Sequence, residues 1–135
     1  MKIDYFRAER LLKVELTEEI DQHTAEKIRR KVDDEIERVI PRKVVFDFNN
    51  ISFMDSSGIG MVLGRFKLVK MMGGDFEIIN VGKTTKKIFE MSGVTRIIKV
   101  KDKENNQKII KQKEKIQSEI LSNMSKEEDN EGIIW

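Results

Sequence analysis

The chain has 135 residues, 39% of them hydrophobic and 37% charged, with 26 basic residues against 24 acidic ones, no cysteine and a single histidine. Without cysteine there is no disulfide framework, thiol nucleophile or zinc-thiolate site, and one histidine does not make a His-rich metal centre. A formal net charge of +2 leaves no excess that would mark a nucleic-acid or membrane footprint. No apolar run approaches the ~20 residues that span a bilayer, and Met1 to Phe6 lacks a signal-peptide core. These features predict one modest domain in the cytoplasm, bound neither to nucleic acid nor to membrane and monomeric when alone.

Ile3 and Tyr5, then Leu12, Val14 and Leu16, alternate with polar residues on either side of the polar stretch Arg7 to Arg10, the pattern of a β-hairpin or two adjacent strands. From Asp21 the period changes: Ala25, Ile28, Val32, Ile36 and Val39 recur at spacings of three and four, which gathers them on one helical face. Asp21 or Thr24 can cap the first turn. Pro41, the only proline, closes that helix, and Val44, Val45, Phe46 and Phe48 read as a buried central strand.

A loop from Ile51 to Ser57 leads into a second amphipathic helix marked by Ile59, Val62, Leu63, Phe66 and Val69 and ended by Gly73-Gly74. Phe76, Ile78 and Val81 predict another strand, Thr84 to Met91 a short helix, and Ile97, Ile98 and Val100 a last strand. Strands alternating with helices in this order predict an α/β fold, β-β-α-β-α-β-α-β, whose mixed sheet is parallel after its first hairpin and packs against helices.

Composition shifts near Lys101. Residues 101–135 carry seven lysines against eight acids, and the preceding body nineteen basic against sixteen acidic residues. Ile109, Ile116, Ile120 and Met124 fall at helical spacing, so a final helix over 109–124 is expected, packed on the domain or held apart for a partner, with Ser125 to Gly132 disordered. The domain is taken as 1–115 and the C-terminal extension as 116–135.

The stretch that can carry chemistry is Phe53-Met54-Asp55-Ser56-Ser57-Gly58-Ile59-Gly60, between the central strand and the second helix. In an open α/β sheet, functional loops gather beyond the carboxyl ends of the strands. Asp55, Ser56 and Ser57 can each accept a hydrogen bond from the free N–H groups of a first helical turn, so helix capping alone explains their chemistry. A hydrolase with Ser56 or Ser57 as nucleophile lacks a base, because His23 has no sequence link to this loop and no G-x-S-x-G elbow is present. Gly58, Gly60 and Gly64 miss the dinucleotide fingerprint by one position, and no phosphate-cradling P-loop exists elsewhere. The third option makes a serine the substrate: a hydroxyl at a helix N-terminus is open to a kinase, and its phosphate would face free N–H groups and the positive end of the helix dipole.

The segment Ile51 to Gly60 followed by Leu63-Gly64-Arg65-Phe66-Lys67 resembles the STAS domain family, most of all its bacterial sporulation anti-sigma factor antagonists. Leu16-Thr17 through Asp21 with His23-Thr24-Ala25, then Gly73-Gly74, then Ile88 to Gly93 extend the resemblance over roughly residues 1 to 100. The resemblance implies a non-enzymatic regulator without cofactor or metal. Its unphosphorylated form binds an anti-sigma factor that is also a serine kinase, of GHKL type, and so frees a sigma factor. The kinase modifies the serine directly before the loop glycine, and a serine phosphatase reverses this. By resemblance Ser57 is the phosphoacceptor, Asp55 the loop acid that orients it, and Asp21, Asp55, Ser56, Ser57, Gly58, Ile59 and Gly60 form the partner-binding face. The family's ligand-sensing members imply an alternative, a nucleotide- or small-ligand-binding regulatory domain. One departure stands out: Glu18 replaces the glycine usual after the second strand, so either Glu18 is strained or the turn is built differently.

Overall fold

The structure, a computed structural model, describes residues 1–104 and 106–134, with side chains described for 1–104 and 110–125. The chain divides into two compact units, Met1–Lys103 and Glu104–Trp135, the break falling just after the change in composition.

Strands β1 (Lys2–Phe6) and β2 (Leu11–Glu15) form an antiparallel hairpin. Helix α1 (Gln22–Val39) opens on Asp21, whose carboxylate accepts the Thr24 N–H at 2.8 Å, and it buries Ala25, Ile28, Val32 and Ile36 at the predicted spacing. Ile40 ends it in the left-handed region at φ 46°, its N–H still bonded to the Ile36 carbonyl, and Pro41 prevents continuation. Strand β3 (Lys43–Asp47), helix α2 (Ser57–Met71), strand β4 (Asp75–Val81) and helix α3 (Lys83–Met91) follow in the expected order. Ser57 is the first residue of α2, two positions ahead of the apolar periodicity that predicts the helix.

The last strand differs from the sequence pattern. Val94–Arg96 form a 3₁₀ turn, and β5 (Lys99–Asp102) starts two residues later than Ile97. The N–H groups of Ile97 and Ile98 both donate to the Val94 carbonyl, so these donors close a turn and are unavailable to a sheet ladder. Ile98 is buried as a plug while Ile97 is exposed. Glu18 is not among the non-glycine residues at positive φ, which are Arg10, Ile40 and Asn80, so the turn after β2 is built without left-handed backbone and Glu18 carries no strain there. Helix α4 runs Asn106–Ile134, where apolar spacing alone predicts 109–124. Its backbone is helical through 125–132, in line with the helix-forming Lys126, Glu127 and Glu128, while the side chain of Ile109 and those of 126–132 lie outside the described side chains.

The five strands stand in the order β1-β2-β3-β4-β5, and β2 to β5 are parallel neighbours. Right-handed crossovers between sequential parallel neighbours carry α1, α2 and α3 to one face of the sheet. That face is the core: Leu12, Val14, Val44, Phe46, Phe76 and Ile78 alternate toward it, all buried. Phe46 and Phe66 pack on Phe76 with ring centroids 5.0 and 6.2 Å away, and Phe89 of α3 meets Phe48 edge-on at 5.5 Å. Helices α1 and α2 are joined by a largely buried pair. Arg65 sets Nε 2.7 Å from Asp33 Oδ1, its Nη2 donates to Asp33 Oδ2 at 3.3 Å, and its Nη1 donates to the Met61 carbonyl. With its charge paired to Asp33 and both Nη groups donating, the guanidinium can be withdrawn from water.

On the other face, Glu77 is only 4% exposed, between Lys43 at 2.7 Å and Lys101 at 3.0 Å. Burial pushes its carboxyl upward, but hydrogen bonding and charge from Lys43 and Lys101 together outweigh that and hold it below the ordinary 4.5. A depressed carboxyl stabilises the fold above its unfolded value and loses that contribution as pH falls through the folded one. Acid titration of thermal stability is therefore expected to show a loss below about pH 4.5 that shrinks in Glu77→Gln. Because the core formed by the described residues lies within the first unit, deleting residues 126–135 is expected to shift the melting temperature by less than about 4 °C in calorimetry.

Candidate functional site

The site forms where two connections meet beyond the carboxyl ends of β2 and β3. Leu16 continues β2 by donating its N–H to the Asp47 carbonyl at 3.1 Å, and the chain then turns through Thr17 to Glu19. Ile20 next donates its N–H to the Phe53 carbonyl at 3.1 Å and accepts the Asp55 N–H at 3.0 Å, a short parallel bridge opposite Met54. Ile20 and Met54 are both buried. This stitch brings Asp21, at the head of α1, beside the loop that leads into α2.

The loop is braced at its start by Asp47. Its Oδ1 accepts the Asn49 N–H at 2.9 Å and the Asn80 side-chain amide at 3.0 Å, while Asn80 itself takes the left-handed conformation at an irregularity in the β4–β5 pairing. At its end the loop is closed by Asp55, whose Oδ1 accepts the Ser57 N–H at 2.8 Å and also the Ser57 hydroxyl. Ser56 holds the cap position but its side chain makes no capping bond, so Asp55 caps α2 from one residue upstream. The Gly58 and Ile59 N–H groups reach back only three residues, to the Asp55 and Ser56 carbonyls, so the helix begins as a tight 3₁₀ turn.

Ser56 is exposed and Ser57 half-buried; Gly58 is buried, Ile59 half-buried and Gly60 exposed. Gly58 is required by space: a Cβ there would lie 2.3 Å from Met54 Sδ and 3.2 Å from Ile20 Cγ2. Asp21 is exposed, and the Thr24 backbone N–H, followed by the Thr24 side chain, holds its carboxyl below the ordinary range with a smaller contribution from His23. With Glu18 and Glu19, both exposed, it makes the rim acidic.

All seven residues singled out from the sequence thus sit on two segments joined by one bridge. The Ser57 hydroxyl is held by a carboxylate and not by the imidazole of His23, so no Ser-His pair exists for hydrolysis. Among the described residues no group of three or more His, Cys, Asp or Glu side chains is placed to hold a metal ion, and no helix is long and apolar enough to cross a membrane. A small concavity lined by Leu16, Thr17, Thr24, Lys27 and Lys31 lies on the α1 side and includes none of Asp55 to Gly60. Sequence reasoning passed over Asp47 and gave no role to two residues of the stretch it singled out, Phe53, which is 51% exposed, and Met54 beneath Gly58. An aromatic side chain between Ser52 and the loop acid was the available signal for Phe53; Asp47 reads as an ordinary strand end.

The family model for the STAS domain matches residues 2–106. An anti-sigma F factor antagonist of Paenibacillus polymyxa is 36% identical over 96 residues, which cover 71% of this chain and 82% of that protein. The chain belongs to the STAS domain family of anti-sigma factor antagonists. That family consists of regulators and not enzymes. An anti-sigma-B factor antagonist of Bacillus subtilis strain 168 is 28% identical, the match covering 76% of this chain and 93% of its own. Among solved structures, the unphosphorylated anti-sigma factor antagonist SpoIIAA superposes with a TM-score of 0.65 at 27% identity, over 82% of this chain and 93% of that one. The phosphorylated Bacillus SpoIIAA gives 0.59 at the same identity, over 82% and 96%.

The tight contact beneath the loop generates a prediction. Gly58→Ala is expected to destabilise this STAS domain by about 1–3 kcal/mol in urea denaturation, because Met54 and Ile20 are enclosed and must move.

Proposed function

We propose that this protein is an anti-sigma factor antagonist switched by phosphorylation of Ser57. Unmodified, it binds an anti-sigma factor that is also a serine kinase of GHKL type and so releases the sigma factor; modified, it does not bind, until a serine phosphatase removes the phosphate. The observation that carries this reading is the Ser57 hydroxyl at the first position of α2, hydrogen-bonded to Asp55 on the same end of the molecule as Asp21. Support comes from the antagonists to which the chain is similar, one solved in a phosphorylated form.

In the transfer, Ser57 Oγ forms a bond to the γ-phosphorus of ATP, the bond from that phosphorus to the bridging oxygen breaks, and ADP leaves with the electron pair. The hydroxyl proton goes to a base, and Asp55 Oδ1, which already accepts the hydroxyl's hydrogen bond, is placed to take it. The product carries a charge of about −2 where the nucleotide's own phosphates lie. At an effective dielectric of about 20, each like-charge pair some 4 Å apart costs on the order of 4 kcal/mol before screening, and about 1.4 kcal/mol already means tenfold in affinity. Within the antagonist, the positive end of the α2 dipole offsets the new charge, so its global stability changes little. The acidic rim of Glu18, Glu19, Asp21 and Asp55 suits a basic partner surface, and Phe53 supplies an apolar contact within it.

Ser57→Ala is expected to bind the kinase partner without accepting phosphate, and Ser57→Asp to bind at least tenfold more weakly while remaining folded. Ser56→Ala is expected to accept phosphate still. Intact-mass mapping after incubation with kinase and ATP, with titration calorimetry of each variant, checks all three. Phosphate on Ser56, or unweakened binding by Ser57→Asp, would contradict the proposal.

A further inference from the structure

Three glycines, Gly58, Gly60 and Gly64, fall within the first eight residues of α2. Only Gly58 has a packing reason. A methyl group at Gly60 or Gly64 would meet nothing within 4 Å, and neither residue has positive φ. The fold therefore tolerates alanine at both positions, yet each glycine weakens the helix about fivefold relative to alanine. The same stretch holds β-branched Ile59 and Val62, starts with a 3₁₀ turn, and has no carboxylate within its first turn.

The character changes at Arg65. Its guanidinium is locked to Asp33 of α1, Phe66 packs on Phe76, Val69 is buried, and glycine does not recur before Gly73. One half of α2 is anchored to both α1 and the sheet. The other half, which carries Ser57, is held by the core side chains Met61 and Val62, by the bond from Arg65 Nη1 to the Met61 carbonyl, and by the contact of Gly58 with Met54.

We infer that Ser57–Gly64 is a hinged segment, built to unwind from the Arg65 anchor so that Ser57 can enter a kinase active site. The inference rests on the reading of Ser57 as phosphoacceptor. In the closed fold that hydroxyl is half-buried, directed to Asp55, and backed by the first turn of its own helix. In-line attack needs the oxygen about 3–3.5 Å from the γ-phosphorus with its approach clear. Unwinding the glycine-containing turns frees Ser56 and Ser57 to move outward, while Asp55 stays bonded through its N–H to the Ile20 carbonyl and Arg65 and Phe66 hold the rest of α2. The glycines set the local opening equilibrium, separate from global unfolding.

Amide hydrogen exchange on the full chain, followed residue by residue, tests the hinge without any partner. Residues 58–64 are expected to exchange at least tenfold faster than 66–71, and Gly60→Ala with Gly64→Ala to slow 58–64 by about 25-fold without lowering the melting temperature. With the cognate anti-sigma factor kinase and ATP, Gly64→Ala alone, which lies outside the partner-binding face, is expected to take phosphate several-fold more slowly at saturating kinase, with little change in apparent KM. Uniform protection along α2 would overturn the inference, as would a Gly64→Ala variant phosphorylated at the wild-type rate, or one whose defect lies in KM while its exchange is unchanged. A wild-type chain that takes no phosphate on Ser57 but shows the exchange gradient and its response to alanine would overturn the phosphoacceptor reading alone.

Discussion

The site depends on the two backbone hydrogen bonds that Ile20 makes with Phe53 and Asp55. Ile20 ends the connection out of β2, and Asp55 ends the connection out of β3. Joined there, the two loops cannot drift independently, so the head of α1 and the head of α2 share one end of the sheet. The bond pair works because Ile20 and Met54 are buried on either side of it and Gly58 presents no Cβ to push them apart. Buried backbone groups that find each other in this way avoid the cost of leaving a donor or acceptor unpaired.

The architecture supplies the reason that functional residues accumulate at this end. Parallel strands joined by right-handed crossovers return every helix to the same face and leave every strand-to-helix loop at the carboxyl edge. Helix N-termini therefore point their free N–H groups where the loops are. Asp21 and Asp55 each satisfy such a group, the former at Thr24 and the latter at Ser57. The capping bonds of Asp55 and the proposed modification of Ser57 thus draw on the same helix N-terminus. The opposite face of the sheet uses charge differently: Glu77 between Lys43 and Lys101 is a buried acid with paired cations.

Helix α2 combines two demands in one element. Its second half follows the rules of a stable helix, with Leu68, Lys67, Lys70 and Met71 as helix formers and Arg65 pinned to its neighbour. Its first half breaks those rules at Gly60 and Gly64 without any compensation in packing. Departures from local consistency of this kind concentrate where a protein works, since elsewhere they only lower stability.

Much of this was legible in one dimension. Periodicities of two and of three to four located the strands and helices, because the side chains that face the core must recur at the pitch of their element. The Asp-Ser-Ser-Gly run and its neighbours were readable as a helix head of a known family, since caps use few residue types in fixed positions. What periodicity could not determine was the start of β5, because Ile97 and Ile98 look like strand residues until Val94 claims both of their N–H groups. Nor could sequence decide whether Glu18 was strained, as backbone angles in a turn follow from the bonds that close it, or why three glycines in one helix differ. Gly58 is fixed by Met54 and Ile20, residues distant or turned away in the linear order, while Gly60 and Gly64 face open space. The sequence by itself determined what kind of elements carry the candidate residues; the tertiary structure alone decided that Ile20 ties those elements together, because a contact between two loops has no period and leaves no pattern in either.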